Sequence, residues 1–351
     1  MADYPHSAIE IPKYDPAPIF EAIRGNFATE LLAAAVTHFK VFEHLKGEPH
    51  TFSNLRRKMG LAERPASVLL TALKAMKLIC KDQDARLALT PLAREHLTGG
   101  PFDVSDYLAL NGNTPGVTEM VNRLRANKPL NADKKDAGAA FIYREGIESA
   151  MEREEQARAL TLALAGRSCN IAPVLAQKMP LGSQNTLLDV GGGTGIYSIA
   201  LLQKNPHLRA VVWDRPEVLK VTAEQAVKYG VADRLVCRPG DMFKDPIPLG
   251  IDVVLLSNVL HDWDEPQCRE LILRLAEPLS SGGLMLIHDA LMHDEQNGPL
   301  AVALYSAALF VLTEGRCYSG EEYSRWMKEA GLTVGTAIPT LIHCSVIAGT
   351  K

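Results

Sequence analysis

From Pro18 to Leu45 apolar positions recur at helical spacing in "IFEAIRGNFATELLAAAVTHFKVFEHL". The small run Ala33, Ala34 and Ala35 marks where a neighbouring helix packs closely. "TFSNLRRKMGL" and "ERPASVLLTALKAMKLI" read as two more helices, and "CKDQDARLALTPLAREHL" as a short hairpin turning at Asp82 to Asp84, then a helix. That order predicts a winged-helix-like unit over about residues 40–100. From Asp103 to about Leu181 the pattern stays helical. It breaks near "NGNTPG" and "NKPLNADKK", and "YREGIESAMEREEQARALTLALAGRS" reads as one long helix or two abutting ones.

After a linker expected near Pro180 to Asn185 the texture changes. Short, near-continuous apolar runs follow one another at helix-length intervals: "TLLDVGGG", "LRAVVWD", "LVCRPGDMF", "IDVVLLSNV" and "GLMLIHDAL". Such runs belong to a parallel sheet covered by helices on both faces. The tail "TVGTAIPTLIHCSVIAGTK" predicts two strands with a turn near Pro339 and no helix between, hence an antiparallel hairpin at the sheet edge. The expected fold is α/β, a doubly wound Rossmann-like sheet (181–351) preceded by a helical, winged-helix-like part (1–180).

Composition narrows the partners. The chain has 351 residues, is 47% hydrophobic and carries a net charge of -4. That length suggests two domains, and the charge leaves no basic excess to hold a polyanion. The helix "RPASVLLTALKAMKLI", where a winged-helix regulator would read DNA, is mostly apolar with few basic residues, so nucleic acid is not an expected partner. The N-terminus lacks a leader pattern, and no run approaches ~18 uninterrupted apolar positions, so a soluble cytoplasmic protein is expected, with no membrane partner. Cysteines 80, 169, 237, 268, 317 and 344 are scattered and form no CxxC pair, which predicts reduced thiols and no zinc knuckle.

"TLLDVGGGTGIYSIALLQ" is a strand, a glycine turn and a helix, the arrangement that presents backbone N–H groups to a ligand. A GxGxxG fingerprint begun at Gly191 and Gly193 would need its third glycine at Ile196, and the nearest is Gly195. Asp189, two residues before the turn, would repel a pyrophosphate and attract a cation. Asp214 ends the second run, where an acid accepts from ribose hydroxyls, and Asp241 ends the third beside Met242 and Phe243, an apolar edge for a purine. A ligand with a cation, a ribose, an adenine and no phosphate matches this set, and S-adenosyl-L-methionine is such a molecule. Alone, Asp214 and Asp241 also suit ordinary turns next to Pro216 and Gly240.

The fourth run leads into "LSNVLHDWDEPQC". Asp264 and Gln267 have capping-box spacing for the next helix, while His261 stands where the strand would deliver it to the ligand crevice. Asp262 suits either site orientation or a backbone bond, and Trp263 suits packing. His288, Asp289, His293 and His261 raise a two-histidine, one-carboxylate metal site. Strand alternation sets His288 and Asp289 on opposite faces, so no metal is expected. Arg167 in "LAGRS" suits either a contact with an anionic substrate or, as the simpler expectation, a solvated helix position.

"LLDVGGGTG", "WDRPEV", "GDMF" and "VLHDWDEPQC" in this order and spacing resemble the S-adenosylmethionine-dependent O-methyltransferases of the caffeate and acetylserotonin type, with their bacterial small-molecule relatives. The likeness spans nearly the whole chain. It implies a class I methyltransferase sheet, a homodimer built on the N-terminal helices, and a small-molecule methyl acceptor. It also implies that Gly191 and Gly193 contact the cofactor, Asp214 its ribose, Asp241 with Met242 its adenine, and that His261 is the general base. A neutral imidazole, with an ordinary pKa of about 6.5, can take the proton of a phenol-like hydroxyl of about 10 as the methyl transfers.

Three positions depart from the family pattern. Where the family often keeps a lysine or arginine before the base, this chain has Ser257 and Asn258, the latter still able to hydrogen-bond the cofactor. Of two flanking glutamates, the first maps to Asp289, the expected orienter of His261, and the second to Cys317, with Glu314 a nearby substitute. Two other functions remain open: S- or C-methylation with the same cofactor site, and a winged-helix regulator that senses S-adenosylmethionine.

Overall fold

The computed structural model describes residues 5–127 and 153–351. Helical spacing in the first stretch becomes α1 (Ala17–Ile23), α2 (Asn26–Thr37) and α3 (Val41–Lys46), followed by α4 (Phe52–Lys58) and α5 (Glu63–Ala75). The hairpin follows as β1 (Ile79–Lys81) and β2 (Leu87–Leu89), paired antiparallel, and then come α6 (Pro91–His96), α7 (Ser105–Ala109) and α8 (Pro115–Ala126). Thr51 and Thr90 cap α4 and α6 with their side-chain oxygens, satisfying N–H groups that the first turn leaves open. Helix α8 ends on Asn127 in the left-handed region. Most of the expected break at "NKPLNADKK", and the start of the long helix at "YREG", lie outside the described residues.

The second stretch opens with α9 (Glu154–Lys178). It continues as β3 (Thr186–Val190), α10 (Ile196–Lys204), β4 (Arg209–Asp214), α11 (Pro216–Lys228), β5 (Leu235–Pro239) and β6 (Val253–Ser257). A 3-10 turn at Leu260–Asp262 leads to α12 (Glu265–Ala276), β7 (Leu284–Ala290), α13 (Leu300–Leu312), α14 (Gly320–Glu329), β8 (Thr333–Val334), β9 (Ile338–Pro339) and β10 (Cys344–Thr350).

The chain divides into two compact units. One comprises Ile19–Ala140 and Met292–Ser319. Its core gathers Leu31, Phe42, Leu55, Leu69, Leu73 and Phe310, so α13 packs with α5 inside this unit. Nine side chains of the thirteen-residue α5 are buried.

The other unit comprises Met1–Pro18, Phe141–Leu291 and Gly320–Lys351. Its sheet runs β5-β4-β3-β6-β7-β10-β8, with β9 also on β10. Strands β3 to β7 are parallel, and β10 returns antiparallel to β7. The architecture is therefore the expected α/β Rossmann-like sheet with an antiparallel hairpin at its edge. The hairpin turns at residues 341–343, with Ile342 and His343 left-handed, and Pro339 sits in β9 just before it. All five residues of β6 are buried, which explains its unbroken apolar run. The strand order reverses between β3 and β6, and in open α/β sheets that switch point is where the carboxyl ends of the strands part to admit a ligand. Helix α9 is long and apolar enough to cross a membrane, yet it packs on α10 and α11 of this sheet.

Candidate active site

The glycine turn lies at the switch point. Gly191 donates to the Trp213 carbonyl at 2.8 Å, and Gly191, Gly193 and Gly195 all have positive φ (65°, 60° and 72°), a region that L side chains enter at a cost. A Cβ on Gly192 would lie 2.7 Å from Asp189 Cγ, so the turn closes directly over that carboxyl group. Asp189 is 1% exposed. Ser198 Oγ donates to its Oδ2 at 2.7 Å, while Oδ1 has no hydrogen-bond partner among the described residues. Burial pushes the carboxyl up to about 7; the Ser198 bond opposes this, and Asp214 adds to it. A buried carboxyl group with one unmatched oxygen suits a cationic ligand. The sulfonium and ammonium of S-adenosylmethionine meet that need, and it brings no phosphate to repel, so the residues fit this cofactor.

Asp214 accepts from Gly193 N–H at 2.8 Å and from Arg215 N–H at 2.7 Å, which ties the end of β4 to the glycine turn. Asp241 is exposed after β5, and its Oδ1 accepts from Phe243 N–H at 2.8 Å, an ordinary turn bond. Met242 beside it is half-buried. Phe243 packs edge-on against Trp263 with ring centroids 4.7 Å apart, joining the loop after β5 to the loop after β6.

His261 is delivered by the 3-10 turn after β6 and is 4% exposed. Its Nδ1 lies 2.6 Å from Asp289 Oδ1 on β7. Asp289, 1% exposed, also accepts from Ala290 N–H at 2.8 Å and, through Oδ2, from the Tyr323 hydroxyl at 2.9 Å. Burial raises the Asp289 carboxyl, but the charge of His261 and these hydrogen bonds outweigh it and hold it below its usual range. An ionised Asp289 can only accept, so Nδ1 carries the proton and Nε2 keeps the lone pair. Burial pulls the imidazolium down, yet Asp289 and Asp262 together overcome it and move His261 above its ordinary value of 6.5. Asp262 Oδ1 stands 3.7 Å from Nε2, and burial pushes that carboxyl up to about 7. Asp264 accepts from Gln267 N–H at 3.4 Å and caps α12, so this segment places a histidine and opens a helix together.

Arg167 corrects an expectation. It is not a solvated helix residue: it is 9% exposed, with Nη1 donating to Asn258 Oδ1 at 2.6 Å and Nη2 to Cys344 Sγ at 2.9 Å. Asn258, left-handed at φ 57°, donates through Nδ2 to Ser257 Oγ at 3.1 Å and to Tyr197 Oη at 3.2 Å. His288 turns the opposite way from Asp289, to Ser257 Oγ at 2.8 Å and Thr340 Oγ1 at 2.9 Å, and burial drives its pKa down to about 3.

The sheet unit therefore brings together Asp189, Gly191, Gly193, Asp214, Asn258, His261 and Asp289 at or just beyond its strand ends, with Asp241 and Met242 on the loop after β5. Cys317, Glu314 and His293 belong to the helical unit, where the Cys317 N–H donates to Ser306 Oγ at 3.1 Å. Sequence reasoning missed Tyr323. Its spacing with Trp326 and Met327 reads as the packing face of an amphipathic helix, and all three are buried, so nothing in the pattern separates the hydroxyl from its neighbours.

Comparison with known proteins gives the same picture. The sequence model of the O-methyltransferase domain matches residues 129–333. The 3-hydroxy-5-methyl-1-naphthoate 3-O-methyltransferase of Streptomyces sahachiroi is 33% identical over 346 residues, covering 96% of this chain and 95% of that protein. The L-tyrosine C(3)-methyltransferase of Streptomyces lavendulae is 26% identical over 322 residues, covering 89% and 85%. Among solved structures, an O-methyltransferase family 2 protein from Planctomyces limnophilus in complex with apigenin superposes with a TM-score of 0.89 at 46% identity, covering 99% of both chains. The chain belongs to this O-methyltransferase family and is an S-adenosylmethionine-dependent methyltransferase acting on small-molecule hydroxyls.

Proposed function

We propose that the chain methylates a hydroxyl on an aromatic ring, with His261 as general base. The observation that carries this reading is the 2.6 Å contact between His261 Nδ1 and a buried Asp289, which fixes the tautomer that leaves Nε2 basic. The similarity to an enzyme named for a hydroxynaphthoate and to a structure holding apigenin supports an aromatic acceptor. When bound, S-adenosylmethionine supplies an electrophilic methyl group on a sulfonium. Nε2 of His261 takes the acceptor hydroxyl's proton, and Asp289 and Asp262 stabilise the resulting imidazolium. Gly191 and Gly193 admit the cofactor over a turn without side chains, Asp189 faces its cationic end, Asp214 its ribose, Asp241 and Met242 its adenine, and Asn258 its amino-acid end.

In this reading the sheet unit, most of it within residues 181–351, forms the cofactor-binding, catalytic part, and the helical unit, most of it within residues 1–180, the dimerisation and substrate-covering part of a cytoplasmic homodimer. The burial of α5 speaks against a helix that reads DNA. Neither nucleic acid nor membrane is a partner.

Titration with S-adenosylhomocysteine and transfer of labelled methyl to a panel of phenols test the reading. His261→Ala should keep cofactor affinity and lose about 10²- to 10⁴-fold in turnover. Unchanged turnover would favour the second reading, C-methylation, which the tyrosine C(3)-methyltransferase relative supports. NMR of the product distinguishes an O-methyl from a ring methyl.

A further inference from the structure

We propose that Arg167, carried by α9, is the cation that binds the carboxylate of the cofactor's amino-acid moiety. This rests on the cofactor site proposed above. The cofactor carries a carboxylate, and the groups gathered at the strand ends are mostly acids: Asp189, Asp214, Asp262 and Asp289. A carboxylate brought among them loses water and meets like charge unless a cation receives it. Among the described residues of the sheet unit, Arg167 is the one buried lysine or arginine.

Its position fits the role. Nη1 is bound to Asn258, which is half-buried, and Asn258 precedes Val259, whose Cγ2 lies 3.0 Å from where a Cβ on Gly191 would stand. The guanidinium is thus held against the loop that borders the glycine turn. Its charge is felt at Tyr197, His261 and His288, which places it near the base. The residue is 9% exposed, and its Nε is buried. The Nη1 bond to Asn258 and the Nη2 bond to Cys344 fix the plane of the fork, the geometry in which arginine receives a carboxylate through two parallel N–H donors. Ser257 and Asn258 then need no charge of their own, because a helix distant in sequence supplies it.

The test compares two ligands by calorimetry: S-adenosylhomocysteine and its decarboxylated analogue, which keeps the adenosine, thioether and amine. The wild-type chain should prefer the first by on the order of 10- to 100-fold. In Arg167→Gln and in Arg167→Met the preference should fall towards unity while affinity for the decarboxylated analogue stays within about threefold, and Arg167→Lys should keep part of it. An equal loss for both ligands would make Arg167 a structural residue and overturn the proposal. So would a preference that survives in either neutral variant. A wild-type chain that binds both ligands equally would overturn it without any variant. A wild-type chain that binds neither would instead sink the cofactor-site reading itself.

Discussion

Asp189 and Asp289 lie on strands that flank β6, both 1% exposed, and their protons go opposite ways. Asp289 accepts from an imidazole, a tyrosine hydroxyl and a backbone N–H, and stays ionised. Asp189 accepts from Ser198 alone at one oxygen, and burial carries it up to about 7. Equal burial therefore does not set the charge; the number and sign of the partners do. One carboxylate is already matched and can hold a base in place. The other is matched only when a cation arrives.

That contrast can be broken from either side. The largest effect is expected from Asp289→Asn, which removes the charge behind His261 and frees the tautomer to invert: turnover should fall about 10²-fold or more, read as kcat at saturating acceptor, with cofactor affinity nearly unchanged. A fall in affinity as large as the fall in kcat would show that Asp289 serves the cofactor side as well.

A smaller effect is expected at Asp189. Its raised pKa means that the folded chain holds a proton the unfolded chain has lost, so its contribution to stability declines as pH rises from about 4 to about 7. A bound cation favours the ionised form, so cofactor binding near pH 6.5 should release a fraction of a proton. Calorimetry in two buffers of different ionisation enthalpy measures this. Asp189→Asn should abolish the release and weaken cofactor binding by about tenfold. Release that persists in the variant would assign the proton elsewhere, Asp262 being the next candidate.

The smallest effect is expected from Tyr323→Phe, which deletes one of the Asp289 bonds and leaves the others. A loss of about 1 kcal/mol of support for the ionised carboxylate corresponds to a few-fold drop in kcat. A drop as deep as that of Asp289→Asn would mean that the tyrosine touches the acceptor itself.

The sheet was legible because its central strands, β3 and β6, are buried on both faces and therefore read as unbroken apolar runs, and because the glycine turn, Asp214 and His261 sit at strand ends where spacing is fixed. The His261 to Asp289 contact was expected only through the family resemblance, and the pairing of β6 with β7 is what brings the two residues together. Arg167 was not. It lies on a helix whose apolar pattern is nearly uniform, and only the packing of α9 on α10 and α11 decides which of its polar residues turns inward. Tyr323 was lost for a related reason, since a phenol on a packing face reads as an apolar residue until its hydroxyl finds a carboxylate. Helix α13 lies among the sheet-unit elements in sequence, and its burial against α5 follows from tertiary packing alone.

The central claim is that Asp289 holds His261 as a base with an elevated pKa, and the pH dependence of kcat tests it most directly. A base must be neutral to act, so kcat should climb with pH along a limb whose apparent pKa lies above 6.5 in the wild type. Removing the Asp289 charge should move that limb to lower pH in Asp289→Asn while lowering its plateau. A limb that stays in place in the variant, or a rate independent of pH between 5 and 9, would contradict the account.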